Sequence, residues 1–240
     1  MEVTCAVLTI LMLWEFLRMT QADSSLLLRG AGYLLGFLVI AGIYGWLPTP
    51  YSLVVLPLGV ILLSVLSLAQ PQPIDDSVRK VGIVAFGVLY CSGLFPFLGR
   101  LRELENGLQL TVIALFCTWG GDTAAYFAGR LFGKRKLYPA ISPKKTIEGA
   151  LGGVFGGIAV AFVVKLILGF ESGAFHLLVL GSLAACMGIF GDLVASLVKR
   201  STGTKDSSHL IPGHGGVLDR FDGVMFAAPA VYTYVILFLS

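Results

Sequence analysis

Residues 196–222 read SLVKRSTGTKDSSHLIPGHGGVLDRFD, and they link two hydrophobic segments, 174–199 and 221–239, whose ends they overlap. The stretch carries three basic side chains ahead of Asp206 and a glycine-rich turn around His214. A chain that is 56% hydrophobic has little reason to keep such a stretch unless it handles a charged ligand at a membrane surface. The pattern therefore predicts two membrane helices joined by a polar loop, with a metal–phosphate site at that loop.

The rest of the chain repeats this alternation of apolar segments and short polar turns. Only 13% of the 240 residues are charged and the mean hydropathy is +0.87, whereas a soluble domain carries about 25% charge. Crossing a bilayer core of ~30 Å takes about 20 helical residues. We therefore predict an all-α fold, a polytopic transmembrane helix bundle with short loops and about eight spans: 3–17, 31–47, 51–69, 79–98, 107–129, 147–169, 174–199 and 221–239.

Lysine and arginine predict the orientation of these spans. Of the 17 basic residues, all but Arg100, Arg102 and Lys165 fall in one set of alternate loops. The positive-inside rule places that set in the cytoplasm and both termini outside. A basic cytoplasmic face attracts anionic lipid headgroups and nucleotides. Because its basic residues are scattered over separate loops, the pattern argues against nucleic-acid binding.

Three carboxylates fall inside predicted spans, and their depth separates two interpretations. A charge at the centre of a membrane helix costs about 2.5–3.5 kcal/mol, so it is a functional candidate. Asp122 and Asp192 each precede a basic residue at the cytoplasmic helix end by eight positions, or ~12 Å. This matched depth predicts one polar cavity open to the cytoplasm. Glu15 lies one turn from Arg18, which predicts that it snorkels to the interface.

The spacing of polar residues in the last two spans predicts a metal site. Asp192, Ser196 and Lys199 are spaced i, i+4, i+7 and share one helix face. Asp219 and Asp222 share a face at the start of the last span, where a helix N-terminus tolerates negative charge. Mg²⁺ prefers carboxylate oxygens together with substrate phosphates. The three aspartates are therefore candidate metal ligands, the alternative being a solvated, charged loop end.

Two loops carry candidate phosphate-binding groups. Around His214, the backbone amides of Gly215 and Gly216 can cradle an oxyanion, although a plain turn would also explain the glycines. Lys205 and Asp206 either position phosphate and metal or pair with each other. In the segment 138–149, Ser142 or Thr146 can cap the sixth span, and Lys144 with Lys145 completes an anion site or anchors the chain to the bilayer.

The polar stretch resembles the signature of phosphatidate cytidylyltransferases, also called CDP-diglyceride synthases. The matching residues are Ser196, Lys199, Arg200, Lys205, Asp206, Ser208, Pro212, His214, Gly215, Gly216, Asp219, Arg220 and Asp222. The runs 122–126 and 142–149 are similar as well, so that the resemblance covers about the last 130 residues. The N-terminal third is similar only in its hydrophobic character and in Trp14-Glu15-Phe16. Family members usually begin with a further hydrophobic segment, which leaves the span count and the side of the N-terminus open.

The resemblance implies that CTP and phosphatidic acid give CDP-diacylglycerol and pyrophosphate, with Mg²⁺, in a membrane-embedded homodimer. The compact length of the chain suits an enzyme of the bacterial inner membrane, with the site facing the cytoplasm. The number of metal ions and the help of a monovalent cation stay open. It implies a scaffold in residues 1–105, with dimer contacts, and a catalytic region with a cytoplasm-facing polar cavity in residues 106–240. Implied catalytic residues are Asp192, Ser196, Lys199, Asp219 and Asp222, with metal on Asp192, Asp219 and Asp222. Implied substrate-binding residues are Asp122, Lys144, Lys145, Thr146, Glu148, Arg200, Lys205, Asp206, His214, Gly215, Gly216 and Arg220.

Three rival functions use similar features. A secondary transporter would also carry membrane carboxylates and the 30 glycines of this chain, but no inverted repeat is visible. A CTP-dependent polyprenol or phytol kinase would share the metal and nucleotide chemistry and phosphorylate a lipid alcohol. A CDP-alcohol phosphotransferase is disfavoured, because Asp222-Gly223 only begins its aspartate-glycine core.

Overall fold

The computed structural model describes residues 1–20, 26–69, 74–213 and 215–239. Within these residues the regular elements are helices and one short hairpin, connected by turns and loops. The elements are α1 (Glu2–Thr20), α2 (Leu26–Ile43), α3 (Thr49–Leu68), α4 (Ile74–Gly87), a π-helical turn (Val88–Ser92), α5 (Phe97–Glu103), α6 (Gly107–Phe132), β1 (Lys136–Tyr138), β2 (Ser142–Thr146), α7 (Ile147–Leu168), α8 (Ala174–Ser201) and α9 (Leu218–Phe238).

The long helices confirm the predicted class of membrane protein. Seven helical stretches in the described part of the chain are long and apolar enough to span a bilayer: α1, α2, α3, the stretch 76–103, α7, α8 and α9. The predicted span 107–129 forms α6, a helix of 26 residues that is not among these seven stretches. The chain is thus an all-α integral membrane protein.

The helices group into two compact units. One unit contains Met1–Pro96 together with Asp206–Asp219, and the other contains Phe97–Lys205 together with Arg220–Ser240. The sequence suggested a division after residue 105 and assigned the whole polar loop to the C-terminal part. In the structure, the loop residues 206–219 belong instead with the N-terminal helices. The scaffold and catalytic roles given to the two parts stay predictions.

In the first unit, α1 buries one helical stripe against its neighbours. Its residues Met12, Leu13, Phe16 and Leu17 are at most 1% exposed and follow the spacing expected of one helix face. The Phe16 ring packs 6.0 Å from the ring of Tyr90, which lies in the π-helical turn. This apolar stripe places Glu15, the neighbour of Phe16, inside the unit.

In the second unit, α6, α7 and α8 pack against one another. A Cβ atom at Gly121 would lie 3.1 Å from the Gly153 carbonyl oxygen, so that α6 and α7 approach closely through their backbones. The antiparallel strands β1 and β2 connect these two helices, pairing Lys136 with Thr146. The sequence predicted only a loop here, because strands of three and five residues carry little periodic signal.

Candidate functional site

Helices α6, α8 and α9 meet at positions where side chains are small or absent. A Cβ atom at Gly223 of α9 would lie 3.1 Å from the Gly188 carbonyl oxygen of α8 and 2.8 Å from Thr118 Cγ2 of α6. A Cβ atom at Gly191 would lie 2.4 Å from the carbonyl oxygen of Asp222. Because a carbon cannot approach an oxygen that closely, only glycine allows α8 and α9 this contact.

This helix junction collects three aspartates, which we call the carboxylate cluster: Asp122, Asp192 and Asp222. Asp122 lies four residues after Thr118, Asp192 follows Gly191, and Asp222 precedes Gly223. Each of the three carboxylates lies close enough to the other two for their negative charges to repel one another. The structure therefore brings together the two carboxylates that the sequence placed at matched depth, and adds Asp222.

Two lysines and a serine interact with the carboxylate cluster. The Lys145 ammonium lies 2.5 Å from Asp192 Oδ2, and the Ser196 hydroxyl donates a hydrogen bond to Asp192 Oδ1 at 3.2 Å. Lys199 interacts electrostatically with Asp222. The Lys145 and Asp192 side chains are 25% and 30% exposed, while the Lys145 Nζ atom itself is buried against the carboxylate. The cluster holds three carboxylates against two ammonium groups, which favours a further cation.

The donor set fits Mg²⁺ in its chemistry. Carboxylate oxygens are hard ligands, and Mg²⁺ typically takes one or two of them and completes its shell with water and substrate phosphates. Asp192 and Asp222 can supply two. Within the described ranges, no three His, Cys, Asp or Glu side chains converge closely enough to form a metal cage of their own. The residues thus suit a metal that is bound jointly with a phosphate ligand.

Asp219, the third predicted metal ligand, lies in the other compact unit and binds the loop that precedes it. Its Oδ2 atom accepts hydrogen bonds from the Ser207 amide at 2.8 Å, the Ser207 hydroxyl at 2.9 Å and the Gly216 amide at 2.9 Å. The Gly216 amide, predicted to cradle phosphate, thus donates to Asp219 here. Asp219 and Asp192 belong to different units, so their predicted convergence on one metal stays a prediction.

Glu15 is completely buried, so the prediction that it snorkels to the interface is wrong. Its Oε1 atom accepts hydrogen bonds from the Ser208 hydroxyl at 2.5 Å and the Val217 amide at 2.9 Å. Its Oε2 atom accepts from the Ser207 hydroxyl at 3.2 Å and the Leu218 amide at 2.7 Å. The first amides of a helix lack intrahelical partners, and here Glu15 provides their acceptor from a distant part of the chain.

A signal for this contact was present in the sequence. The positions just before α9 are Gly216 and Val217, neither of which has a side chain that can cap a helix. An uncapped buried helix start needs an acceptor from elsewhere, and Glu15 is an acidic residue inside a predicted span. The sequence suggested that Glu15 would reach the interface beside Arg18. The Arg18 guanidinium instead lies 5.1 Å from the centre of the Trp14 ring.

Two predicted substrate-binding residues, Thr146 and Glu148, hold the hairpin onto α7. The Thr146 hydroxyl accepts a hydrogen bond from the Gly149 amide at 3.1 Å, which confirms Thr146 as a helix cap. The Glu148 carboxylate accepts from the amides of Lys134 at 3.0 Å and Arg135 at 3.2 Å. These contacts fix the register of the strand that carries Lys145.

The remaining predicted residues lie at the surface or in the loop. Five of them have exposed side chains: Lys144, Arg200, Lys205, Asp206 and Arg220. Gly215 has a φ of 79°, and its carbonyl oxygen accepts a hydrogen bond from the Ile211 amide at 2.9 Å, closing a tight turn. His214 lies outside the described residues, so its role stays a prediction.

Comparison with known proteins identifies the family. The model of the cytidylyltransferase family matches residues 1–238. A phosphatidate cytidylyltransferase of Bacillus subtilis is 38% identical over 160 residues, which are 66% of this chain and 60% of that protein. Proteins of the same name are 44% identical over 138 residues in Synechocystis (58% of this chain and 47% of that protein) and 42% identical over 142 residues in Staphylococcus aureus strain COL (59% and 54%). The chain thus spans about half to three fifths of the curated relatives it matches. With a match over nearly its whole length, the chain belongs to the cytidylyltransferase family.

Proposed function

We propose that this protein transfers the cytidylyl group of CTP to phosphatidic acid, giving CDP-diacylglycerol and pyrophosphate. The observation that carries the proposal is the carboxylate cluster with its two lysines, embedded between helices of an integral membrane protein. A membrane cytidylyltransferase needs a place where a lipid phosphate and a soluble triphosphate meet. The relatives named phosphatidate cytidylyltransferase support phosphatidate as the lipid substrate.

In the proposed reaction, a phosphate oxygen of phosphatidate attacks the α-phosphorus of CTP. One P–O bond forms there, the bond between the α-phosphorus and the bridging oxygen to the β-phosphate breaks, and pyrophosphate leaves with that oxygen. Both substrates are anions, so the main tasks are to neutralise their charge and to align them. Lys145 and Lys199 are the cations placed for neutralisation, and Ser196 orients the Asp192 carboxylate.

Mg²⁺ is the proposed cofactor, held by Asp192 and Asp222, with Asp219 as the further candidate. When bound, it would neutralise the triphosphate and the departing pyrophosphate. The ion pair with Lys145 and the hydrogen bond from Ser196 engage both oxygens of Asp192, which fixes the orientation of its carboxylate. An ordered carboxylate of this kind is what a metal site shared with substrate requires.

We place the protein in the bacterial inner membrane with this site facing the cytoplasm, as a homodimer. The support for the orientation is the basic content of the loops: the segments 130–145 and 199–220 hold ten of the 17 basic residues. CTP is available on that side of the membrane. The support for the compartment is that the similar proteins come from bacteria.

One assay tests the proposed function. Purified protein receives phosphatidate, Mg²⁺ and CTP labelled in the cytosine, and the label is followed into the lipid phase. We expect lipid-soluble label and an equal amount of pyrophosphate, and neither product from Asp192→Asn. If the label stays in the aqueous phase while an added polyprenol becomes phosphorylated, the protein is a CTP-dependent kinase and not a cytidylyltransferase. No turnover of either lipid by folded protein would contradict both activities.

A further inference from the structure

Glu15 is a buried acid that the proposed chemistry does not use. It lies at 0% exposure on α1, yet it binds residues 192 to 203 positions further along the chain. Three donors bond it without competition, the Ser208 hydroxyl and the amides of Val217 and Leu218, and a fourth, the Ser207 hydroxyl, is shared with Asp219. Both ends of the segment 207–218 are thereby attached to one carboxylate.

The contact is built for a carboxylate. Gly216 passes so close to Glu15 that an added Cβ atom would lie 2.5 Å from Oε1 and 2.1 Å from the Ser207 hydroxyl oxygen. Each carboxylate oxygen accepts one backbone amide, Val217 at Oε1 and Leu218 at Oε2. The negative charge also lies at the positive end of the α9 dipole, which stabilises both the anion and the helix start.

The Ser207 hydroxyl links this contact to Asp219. Its oxygen lies 3.2 Å from Glu15 Oε2 and 2.9 Å from Asp219 Oδ2, and a hydroxyl has a single proton to donate. The Ser207 amide donates to Asp219 as well. The orientation of Asp219 therefore depends on the same loop residues that Glu15 holds in place.

We propose that Glu15 is a positioning residue, which holds the segment 207–218 and the first turn of α9 in the conformation that substrate binding requires. This role rests on the proposed cytidylyl transfer. Glu15 touches no reacting atom and acts through Ser207 and the start of α9. Its loss would leave Asp219 and the glycine turn in several orientations, so that the metal and CTP bind less tightly.

The decisive variant is Glu15→Gln. Glutamine has the same shape, but its NH₂ group would face the Val217 amide in one orientation and the Leu218 amide in the other, so a donor meets a donor either way. A buried donor left without an acceptor destabilises the conformation that holds it. We expect the equilibrium between the ordered and the open segment 207–218 to shift toward the open form by about tenfold or more. Thr9→Val is the matched control, because it removes a buried hydroxyl from the same helix, one that donates to the Cys5 carbonyl one turn earlier.

Two measurements are made on full-length protein in detergent micelles. Hydrogen–deuterium exchange of the peptide 207–218 should become about tenfold faster in Glu15→Gln and stay unchanged in Thr9→Val. The KM for CTP and the half-saturating Mg²⁺ concentration should both rise about tenfold in Glu15→Gln. A merely structural defect would lower the folded fraction and the apparent kcat while leaving both concentrations unchanged.

The outcomes separate this role from the proposed function. Wild-type protein without transfer overturns the proposed function. Wild-type transfer, combined with unchanged exchange and unchanged KM in Glu15→Gln, overturns the role of Glu15 alone. If Glu15→Gln does not fold, Ser208→Ala replaces it, since this variant removes the 2.5 Å donor and keeps the carboxylate. Ser208→Ala should show the same two changes at smaller size, and wild-type values for both would overturn the proposal.

Discussion

The ammonium of Lys145 on strand β2 lies 2.5 Å from the carboxylate of Asp192 on helix α8. Its neighbour Lys144 is exposed. Because successive residues of a strand point to opposite sides, only one of the two adjacent lysines reaches the carboxylate cluster. The sequence could not separate these two lysines, and the structure assigns them different surroundings.

This difference predicts unequal effects of the two alanine substitutions. Lys145→Ala should lower kcat/KM for cytidylyl transfer by about 10²-fold, the size of effect seen when one charge-stabilising donor is removed. Lys144→Ala should lower it by less than about threefold. The measurement is the initial rate over a range of CTP and phosphatidate concentrations. Equal losses in the two variants would contradict the assignment.

Asp222 should be required for turnover and dispensable for folding. Asp222→Asn keeps the size of the side chain and removes its negative charge. That charge is repelled by Asp122 and Asp192 and attracted by Lys199. We expect kcat to fall by about 10²- to 10³-fold and more Mg²⁺ to be needed. The unfolding temperature in detergent should not decrease. Asp76→Asn is the control, as its carboxylate pairs with Arg79 at the surface; a similar loss there would indicate a general charge effect.

Gly191 should not tolerate a methyl group. In Gly191→Ala, the new carbon would lie 2.4 Å from the Asp222 carbonyl oxygen, so α9 must shift away from α8. Overpacking of this kind costs about 1–3 kcal/mol and would displace Asp222 from Asp192. We expect a lower unfolding temperature and at least about tenfold lower activity. Gly82→Ala, which has open space around it on α4, should keep wild-type values for both.

Thr146 should contribute to stability as the cap of α7. Thr146→Val removes the acceptor of the Gly149 amide but keeps the side-chain volume, and loss of a cap costs about 1 kcal/mol. Thr146→Ser should restore most of the stability. Both are measured as the free energy of unfolding in mixed micelles. Equal stability of the valine variant and the wild type would show that the hydroxyl is not needed there.

The orientation predicted from the basic loops can be measured by cysteine labelling. Lys136 lies in the exposed hairpin, and Glu171 lies in the exposed turn between α7 and α8. In intact spheroplasts, a membrane-impermeant maleimide should label Glu171→Cys and leave Lys136→Cys unlabelled until the cells are lysed. The unsubstituted protein measures the background from its own four cysteines, of which Cys5, Cys91 and Cys117 are buried. The reverse pattern would place the candidate site on the outer face.

The sequence by itself determined the class of the protein and much of its chemistry. Runs of apolar residues predicted the long helices, because a bilayer imposes both length and hydrophobicity on each span. Spacing within one helix predicted that Ser196 would meet Asp192, and their hydrogen bond confirms it. Ser142 and Thr146 were the two candidate caps, and the hydrogen bond from the Gly149 amide shows that Thr146 is the cap. Each of these relationships spans only a few residues.

Only the tertiary structure decided which distant residues meet. The partners of Glu15 lie 192 to 203 positions away, and no local pattern encodes that separation. The carboxylate cluster forms where Gly191 and Gly223 allow helix backbones to touch, and composition alone does not say which of 30 glycines do this. The physical reason is that helix periodicity fixes the face on which a side chain lies, whereas contact between helices is fixed by how closely their backbones can pack.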